Sequence, residues 1–227
     1  MQNPDQKQST STNTSHSIDY LGIKALRSRH PTIRKLKRQQ QGHSAHGNKV
    51  WRSSFVLMDY LTTYPPTTSS KILDVGCGWG LTGIFLAKKY SARVTAIDID
   101  PSVEPFLKLH TTINQCDISF QAGNFENLTQ SELSAYDLIV AADICFWDEM
   151  VDPLYNFICC ALKSGVKRIL IADPGRPPFW SLCDQCVESL DARQKCLPLR
   201  MMVVVMNLRG HLESSMLTSS KPSEFPS

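Results

Sequence analysis

A chain of 227 residues with 42% hydrophobic and 20% charged side chains has the balance of an ordinary globular domain with a sizeable core. Its formal net charge of +3 excludes a polyanion-binding role carried by total charge, and no apolar run approaches the roughly 18 residues of a membrane span. The eight cysteines follow a polar start without an apolar leader, which points to reduced thiols in a cytoplasmic protein rather than to a disulfide framework.

Residues 1–17, MQNPDQKQSTSTNTSHS, are polar and are expected to be disordered. Residues 18–46 are basic and helix-prone, interrupted by Pro31, and read as a separate helical arm. Nine Lys or Arg and no Asp or Glu fall between Tyr20 and Arg52, so the rest of the chain is net acidic. Such a segment is either a contact for acidic protein surfaces or nucleic acid, or a solvated basic helix.

Residues 47–210 form the main predicted domain. Trp51 precedes a helix over 53–61, where Phe55, Met58 and Leu61 share a face. A Pro- and Ser/Thr-rich loop, 64–70, leads into the strand Lys71–Val75. Helices are then predicted near 81–90, 102–114, 129–133, 153–163 and 178–192. They alternate with strands at 93–97, 118–121, 136–141 and 168–172. The strands are continuous apolar runs, such as DLIVAA and RILIA, as strands covered on both faces should be. The alternation predicts an α/β fold with a doubly wound, mostly parallel sheet. At the C-terminal end only Met201–Met206 is a well-marked strand. Lys195–Leu197 is a feeble partner cut off by Pro198, so a reduced terminal hairpin is expected. Residues 211–227 form a polar tail. Cys183 and Cys186 have metal-knuckle spacing, but zinc needs about four ligands and Cys196 is the one further candidate. A buried helix face is the preferred reading, and no metal is expected.

The chemistry starts at Asp74-Val75-Gly76-Cys77-Gly78-Trp79-Gly80, a glycine loop between a strand and a helix. Ligands of open α/β sheets bind at such strand ends. Glycine lets the backbone turn sharply and approach a ligand closely. Asp98 ends the next strand, where its carboxylate can accept bonds from both ribose hydroxyls of a nucleoside; the alternative is a helix-cap or turn role. GCGWG is not the GxGxxG of dinucleotide sites, and an acid, Asp74, stands two residues before the first glycine. A cofactor carrying positive charge and no pyrophosphate suits that arrangement. Asp74 can also brace the loop by accepting bonds from its amides.

DVGCGWG (74–80), VTAIDID (94–100), FQAGNF (120–125), YDLIVAADICF (136–146) and RILIADPGR (168–176) together resemble the class I, seven-strand S-adenosylmethionine-dependent methyltransferases. A narrower likeness is to the family 16 protein-lysine methyltransferases. They carry a Trp upstream of the glycine loop, here Trp51, and an Asp/Glu-x-x-Tyr/Phe motif after the fourth strand, here Asp143–Phe146. The Ala172–Arg176 segment is most similar to the branch acting on the β subunit of electron transfer flavoprotein. The resemblance implies a Rossmann-like sheet of seven strands and S-adenosyl-L-methionine as cofactor. It implies a cofactor site at Trp51, Asp74, Gly76, Gly78, Gly80, Asp98, Asn124, Phe125 and Ala142. Asn124 stands where many relatives place an Asp that accepts a bond from the adenine amino group. On the acceptor side it implies that Asp143 orients an amine and Phe146 packs against its stem; the alternatives are a helix cap and a core aromatic.

A protein substrate is therefore expected, with a small-molecule N- or O-acceptor and a non-enzymatic binding protein as the competing readings. No Asn/Asp-Pro-Pro-Tyr/Phe motif follows the strand at 136–141, which counts against base methylation in nucleic acid. Asp173–Arg176 reads as a tight turn, with Arg176 a candidate contact for an acidic substrate surface. A monomer without membrane attachment is expected.

Overall fold

The computed structural model describes residues 16–39, 49–190, 192–197 and 201–207. Strand β3 (Lys71–Val75) is central, and β4 (Arg93–Asp98) and β5 (Ser119–Ala122) extend the sheet on one side. The chain then crosses back to β6 (Leu138–Ala142) and β7 (Arg168–Asp173) on the other side, all parallel. Strand β8 (Arg193–Leu197) and strand β9 (Met201–Asn207) close the edge, with β9 antiparallel to both β7 and β8. The order β5-β4-β3-β6-β7-β9-β8 gives seven strands, the doubly wound sheet expected. Where the winding reverses, between β3 and β6, the connections leave in opposite directions and open a crevice at the strand ends.

The apolar runs are continuous because both faces of the sheet are covered. Ile72, Leu138, Val140 and Leu170 pack on one side against α2 (Arg52–Thr63), α3 (Leu81–Tyr90) and α4 (Glu104–Asn114). Leu73, Val75, Ile139, Ile169 and Ile171 alternate with them onto the other side, under α5 (Gln130–Leu133), α6 (Val151–Lys163) and α7 (Pro177–Leu190). Cys183 and Cys186 are buried in this second layer. Among the described residues no helix is long and apolar enough to cross a membrane.

Two expectations are corrected. The first is the helical arm over 18–46. Residues 17–26 instead form a hairpin, β1 (Ser17–Tyr20) and β2 (Ile23–Leu26), around a two-residue turn. Leu21 and Gly22 both have positive φ, 48° and 79°, as a turn matched to strand twist requires. Ile18 and Tyr20, and Ile23 and Ala25, are buried at a period of two, which marks strands rather than a helix. Among the described residues of the arm only α1 (Pro31–Gln39) is helical, and Pro31 starts it rather than interrupting it. Residues 40–46 lie outside the described residues.

The hairpin is bound to the domain through α4. Asn114 accepts from the Lys24 N–H and donates to the Lys24 carbonyl, both at 2.8 Å, so one amide side chain completes the edge of β2. His110 Nε2 accepts from the Leu26 N–H at 3.1 Å, while its Nδ1 faces the Phe106 carbonyl at 2.7 Å. Burial holds this imidazole down at about 4, so it stays neutral and keeps the accepting nitrogen. Asn114→Ala is expected to cost about 2 kcal/mol, lowering the thermal midpoint by roughly 4–8 °C with the cofactor affinity unchanged; calorimetry of the two proteins checks it.

The second correction concerns the terminal hairpin, which is not reduced. Arg193 to Leu197 pair with Val205 to Met201 over five residues, so the strand begins two residues before Lys195. The polar sequence of β8 hid it, because an edge strand needs little apolar content. Residues 1–15 and 208–227, which include most of the expected disordered start and all of the polar tail, lie outside the described residues.

Candidate active site

The loops after β3, β4, β5 and β6 surround a cavity of about 380 Å³, the size of a small-molecule site. Trp51, Asp74, Gly76, Gly78, Asp98, Asn124, Phe125, Ala142, Asp143 and Phe146 all border it. Gly80 does not. Its φ of 74° starts α3 in the left-handed region, and a Cβ there would sit 3.1 Å from Leu107. Its smallness serves packing between α3 and α4.

The two remaining loop glycines differ. At Gly76, φ is 61° and a Cβ would lie 2.5 Å from Ile144 Cγ2, so the residue lets β3 and the loop after β6 approach. At Gly78, φ is 52° and a Cβ would meet nothing within 4 Å. That open side faces the cavity and leaves backbone accessible to a ligand.

The acids divide the work. Asp74 is buried, and its Oδ2 accepts from the Gly83 N–H at 3.0 Å. It therefore braces the first turns of α3, one of the two roles weighed for it, while bordering the cavity. Burial pushes its carboxyl up to about 7, against the Gly83 bond and with the Asp98 charge adding to the rise. Asp98 accepts from the Gly78 N–H at 2.9 Å and from the Asp100 N–H at 3.0 Å. Burial raises its carboxyl too, while the two amides pull it down. The cap role weighed for Asp98 belongs to Asp100, whose side chain accepts from the Ser102 N–H at 2.9 Å. Asp98 is left to hold the glycine loop and face the cavity.

Asn124 accepts from the Glu126 N–H at 3.1 Å and donates to Glu126 Oε1 at 2.9 Å. An amide oxygen has a second lone pair to offer a ligand. Phe125 meets Phe157 edge-on, with centroids 5.1 Å apart. Other residues border the cavity that the sequence does not single out, among them Lys49, Ile99 and Met150. Ile99 is 71% exposed between two acids. An apolar residue directly after the strand-ending Asp98 was the available signal.

On the opposite wall, Asp143 is buried with φ 55°. Its N–H donates to the Ala172 carbonyl at 2.9 Å. Its Oδ2 accepts from the Ser53 N–H at 3.2 Å, in the first turn of α2. Asp143 is thus a helix cap for α2, reached across the sheet, and a cavity residue at once. Phe146 meets Trp51 at 5.4 Å and 64°, and neither is a plain core aromatic, since both border the cavity. Arg176 is the last correction here. It turns inward, bonding Asp143 Oδ1 through Nη2 at 2.8 Å and Asp173 through Nη1, so it is not presented to an acidic substrate surface.

A seven-stranded sheet of this order, with a glycine loop after its central strand and an acid ending the next, defines the S-adenosylmethionine-dependent methyltransferase fold. The solved structure of TrmN from Thermus thermophilus shares it, with a TM-score of 0.54, 15% identity, and coverage of 68% of this chain and 48% of that one. The sequence profile described as lysine methyltransferase matches residues 32–176, and the chain belongs to that family. It is similar to the electron transfer flavoprotein beta subunit lysine methyltransferase of Homo sapiens, 30% identical over 131 residues, covering 57% of this chain and 49% of that protein. The Xenopus laevis protein of the same name is 32% identical over 133 residues, covering 58% and 53%. The matched segment thus spans about half the length of each of these relatives.

The residues fit S-adenosyl-L-methionine as cofactor. The open face of Gly78, the paired oxygens of Asp98 and two carboxylates beside a cavity of about 380 Å³ suit a nucleoside that carries positive charge.

Proposed function

We propose that this chain is an S-adenosylmethionine-dependent protein-lysine N-methyltransferase. The observation that carries the reading is the meeting of Trp51, Asp143 and Phe146 on the cavity wall facing the glycine loop. Bound S-adenosylmethionine supplies a methyl group activated by its sulfonium. The chain supplies alignment and a partly dry pocket. Asp98 holds the ribose, Asn124 the adenine amino group, and Phe125 and Ile99 flank the base. Asp74 faces the positive charge.

An amine acceptor must lose its proton before transfer, since a lysine in water titrates near ~10.4. Asp143 orients the amine, and the Phe146 ring covers its stem. Transfer returns a cationic product, which a carboxylate and an aromatic ring stabilise.

A protein surface fits the ground around the cavity. Arg29, Arg34, Lys35, Arg38, Lys49 and Arg52 are exposed; Lys49 borders the cavity itself, and α1 packs through Ile33 beside Trp79, another residue of the cavity wall. Among the described residues no ion pair involves Arg29, Arg34, Lys35, Arg38, Lys49 or Arg52. These cations suit an acidic surface around the target lysine. The β subunit of electron transfer flavoprotein is the first substrate to try, because the named relatives act on it. Radiolabelled methyl transfer to that protein, and to an extract of cells lacking this chain, tests the reading. Label confined to small molecules would overturn it. Raising the salt from 0.05 to 0.3 M is expected to raise KM about tenfold and leave kcat unchanged, as screening removes the steering.

Asp74 makes cofactor binding pH-dependent. Its carboxyl sits near 7 in the free protein, so below that pH the positive cofactor meets a neutral acid. Affinity for S-adenosylmethionine is expected to rise about fivefold from pH 6 to pH 7, as the carboxyl loses its proton. Calorimetry at the two pH values, with Asp74→Asn as the flat control, checks it. The same raised carboxyl works against stability. The folded state holds a proton that the unfolded chain has lost between pH ~4 and ~7, so stability falls as pH rises through that window.

A further inference from the structure

Arg176 is held by two buried carboxylates. The Asp173 Oδ1 accepts from the backbone N–H groups of Gly175 and Arg176, both at 2.9 Å, which fixes the turn after β7. The Asp173 Oδ2 takes Nη1, and Nη2 reaches across to Asp143 Oδ1 at 2.8 Å. The guanidinium carbon lies 4.4 Å from the Phe146 ring centroid and 5.8 Å from that of Trp51. The guanidinium therefore fills a box with a carboxylate on one side and two aromatic rings on the others. Those three walls, Asp143, Phe146 and Trp51, also border the cavity, and Arg176 does not.

We propose that Arg176 is a displaceable counter-ion, a specificity-determining residue that occupies the acceptor's cation site until a substrate ammonium replaces it. The inference deepens the lysine reading and rests on it for its biological meaning.

The physical case is one of charge. Asp143 is 3% exposed at its side chain, and a buried carboxylate without a counter-ion is strongly unfavourable. The empty enzyme satisfies it with its own cation. Guanidinium suits the purpose, being weakly hydrated and stacking on aromatic faces. Its side chain is 22% exposed, so it has a route toward solvent, and Asp173 tethers it while it moves. An alkylammonium brings the charge that Asp143 needs and exchanges for the guanidinium. A hydroxyl acceptor of the same shape brings none, and would leave the carboxylate buried and unpaired. The site thereby rejects neutral acceptors by the penalty it imposes on them.

The test uses protein loaded with S-adenosylhomocysteine and two small probes, n-butylammonium and n-butanol. Binding is read from the indole N–H resonance of Trp51, so neither turnover nor a protein substrate enters. Arg176→Gln empties the box of charge and keeps a donor for Asp173, whereas Arg176→Lys keeps the charge. Butylammonium is expected to bind Arg176→Gln at least about tenfold more tightly than the unmodified protein or Arg176→Lys. Butanol is expected to show no such preference. In the unmodified protein, butylammonium at saturation should shift the Arg176 guanidinium resonances toward those of a free side chain, a measurement that stands even if Arg176→Gln does not fold. Equal butylammonium affinity in all three proteins, or no binding to folded Arg176→Gln, would overturn the proposal. So would Arg176 resonances unmoved while Trp51 shifts. Failure of the lysine reading looks different: no labelled protein band, with the Arg176 exchange intact.

Discussion

Asp143→Asn is expected to lower methyl transfer at least ~100-fold while S-adenosylmethionine affinity changes less than about twofold. The amide keeps an oxygen for the Ser53 N–H, which reaches Asp143 at 3.2 Å, so the cap on α2 survives. The charge that matches an ammonium is lost. Arg176 also loses its partner at 2.8 Å but keeps Asp173, so the turn after β7 is held from one side. Single-turnover transfer together with calorimetric cofactor binding separates the outcomes. Loss of both would make Asp143 a structural residue, and unchanged turnover would remove it from the reaction.

Asp98→Ala is expected to act on the other partner, weakening cofactor binding about 100-fold or more. Two hydrogen bonds from ribose hydroxyls to a carboxylate account for about 3 kcal/mol. The loop adds to this, because the Gly78 N–H loses its acceptor at 2.9 Å and the glycine turn is no longer pinned to the end of β4. Asp98→Asn should recover part of the affinity, since one amide oxygen still accepts. Calorimetric titration of both variants gives the ranking. An Asp98→Ala protein that binds as well as the unmodified one would move the ribose elsewhere in the cavity.

The two substitutions probe opposite walls, and the sequence announces these walls unequally. Gly76, Gly78 and Asp98 are legible because their chemistry is local: a strand, a turn and the acid ending the next strand lie within 28 residues of Lys71. The dual role of Asp74 is half legible. Its place before the loop is plain, but the bond to Gly83 depends on α3 folding back over β3. Gly80 is half legible for a related reason. It belongs to the same motif, yet its demand for space comes from Leu107 on α4.

What the sequence determined by itself is the parallel core and the place of the cavity. Apolar runs such as DLIVAA can be satisfied only by burial on both faces, and alternation with helices supplies that cover. Loop chemistry at the end of β3 then follows from covalent order. The hairpin at 17–26, the full length of β8 and the inward turn of Arg176 were decided by tertiary structure. Each depends on a partner far along the chain: Lys24 on Asn114, β8 on the register of β9, Arg176 on Asp143. A hydrogen bond or ion pair between distant residues leaves no periodic trace in either segment. Short polar strands and charged side chains, whose positions such partners settle, are therefore where the sequence is silent and the folded chain is not.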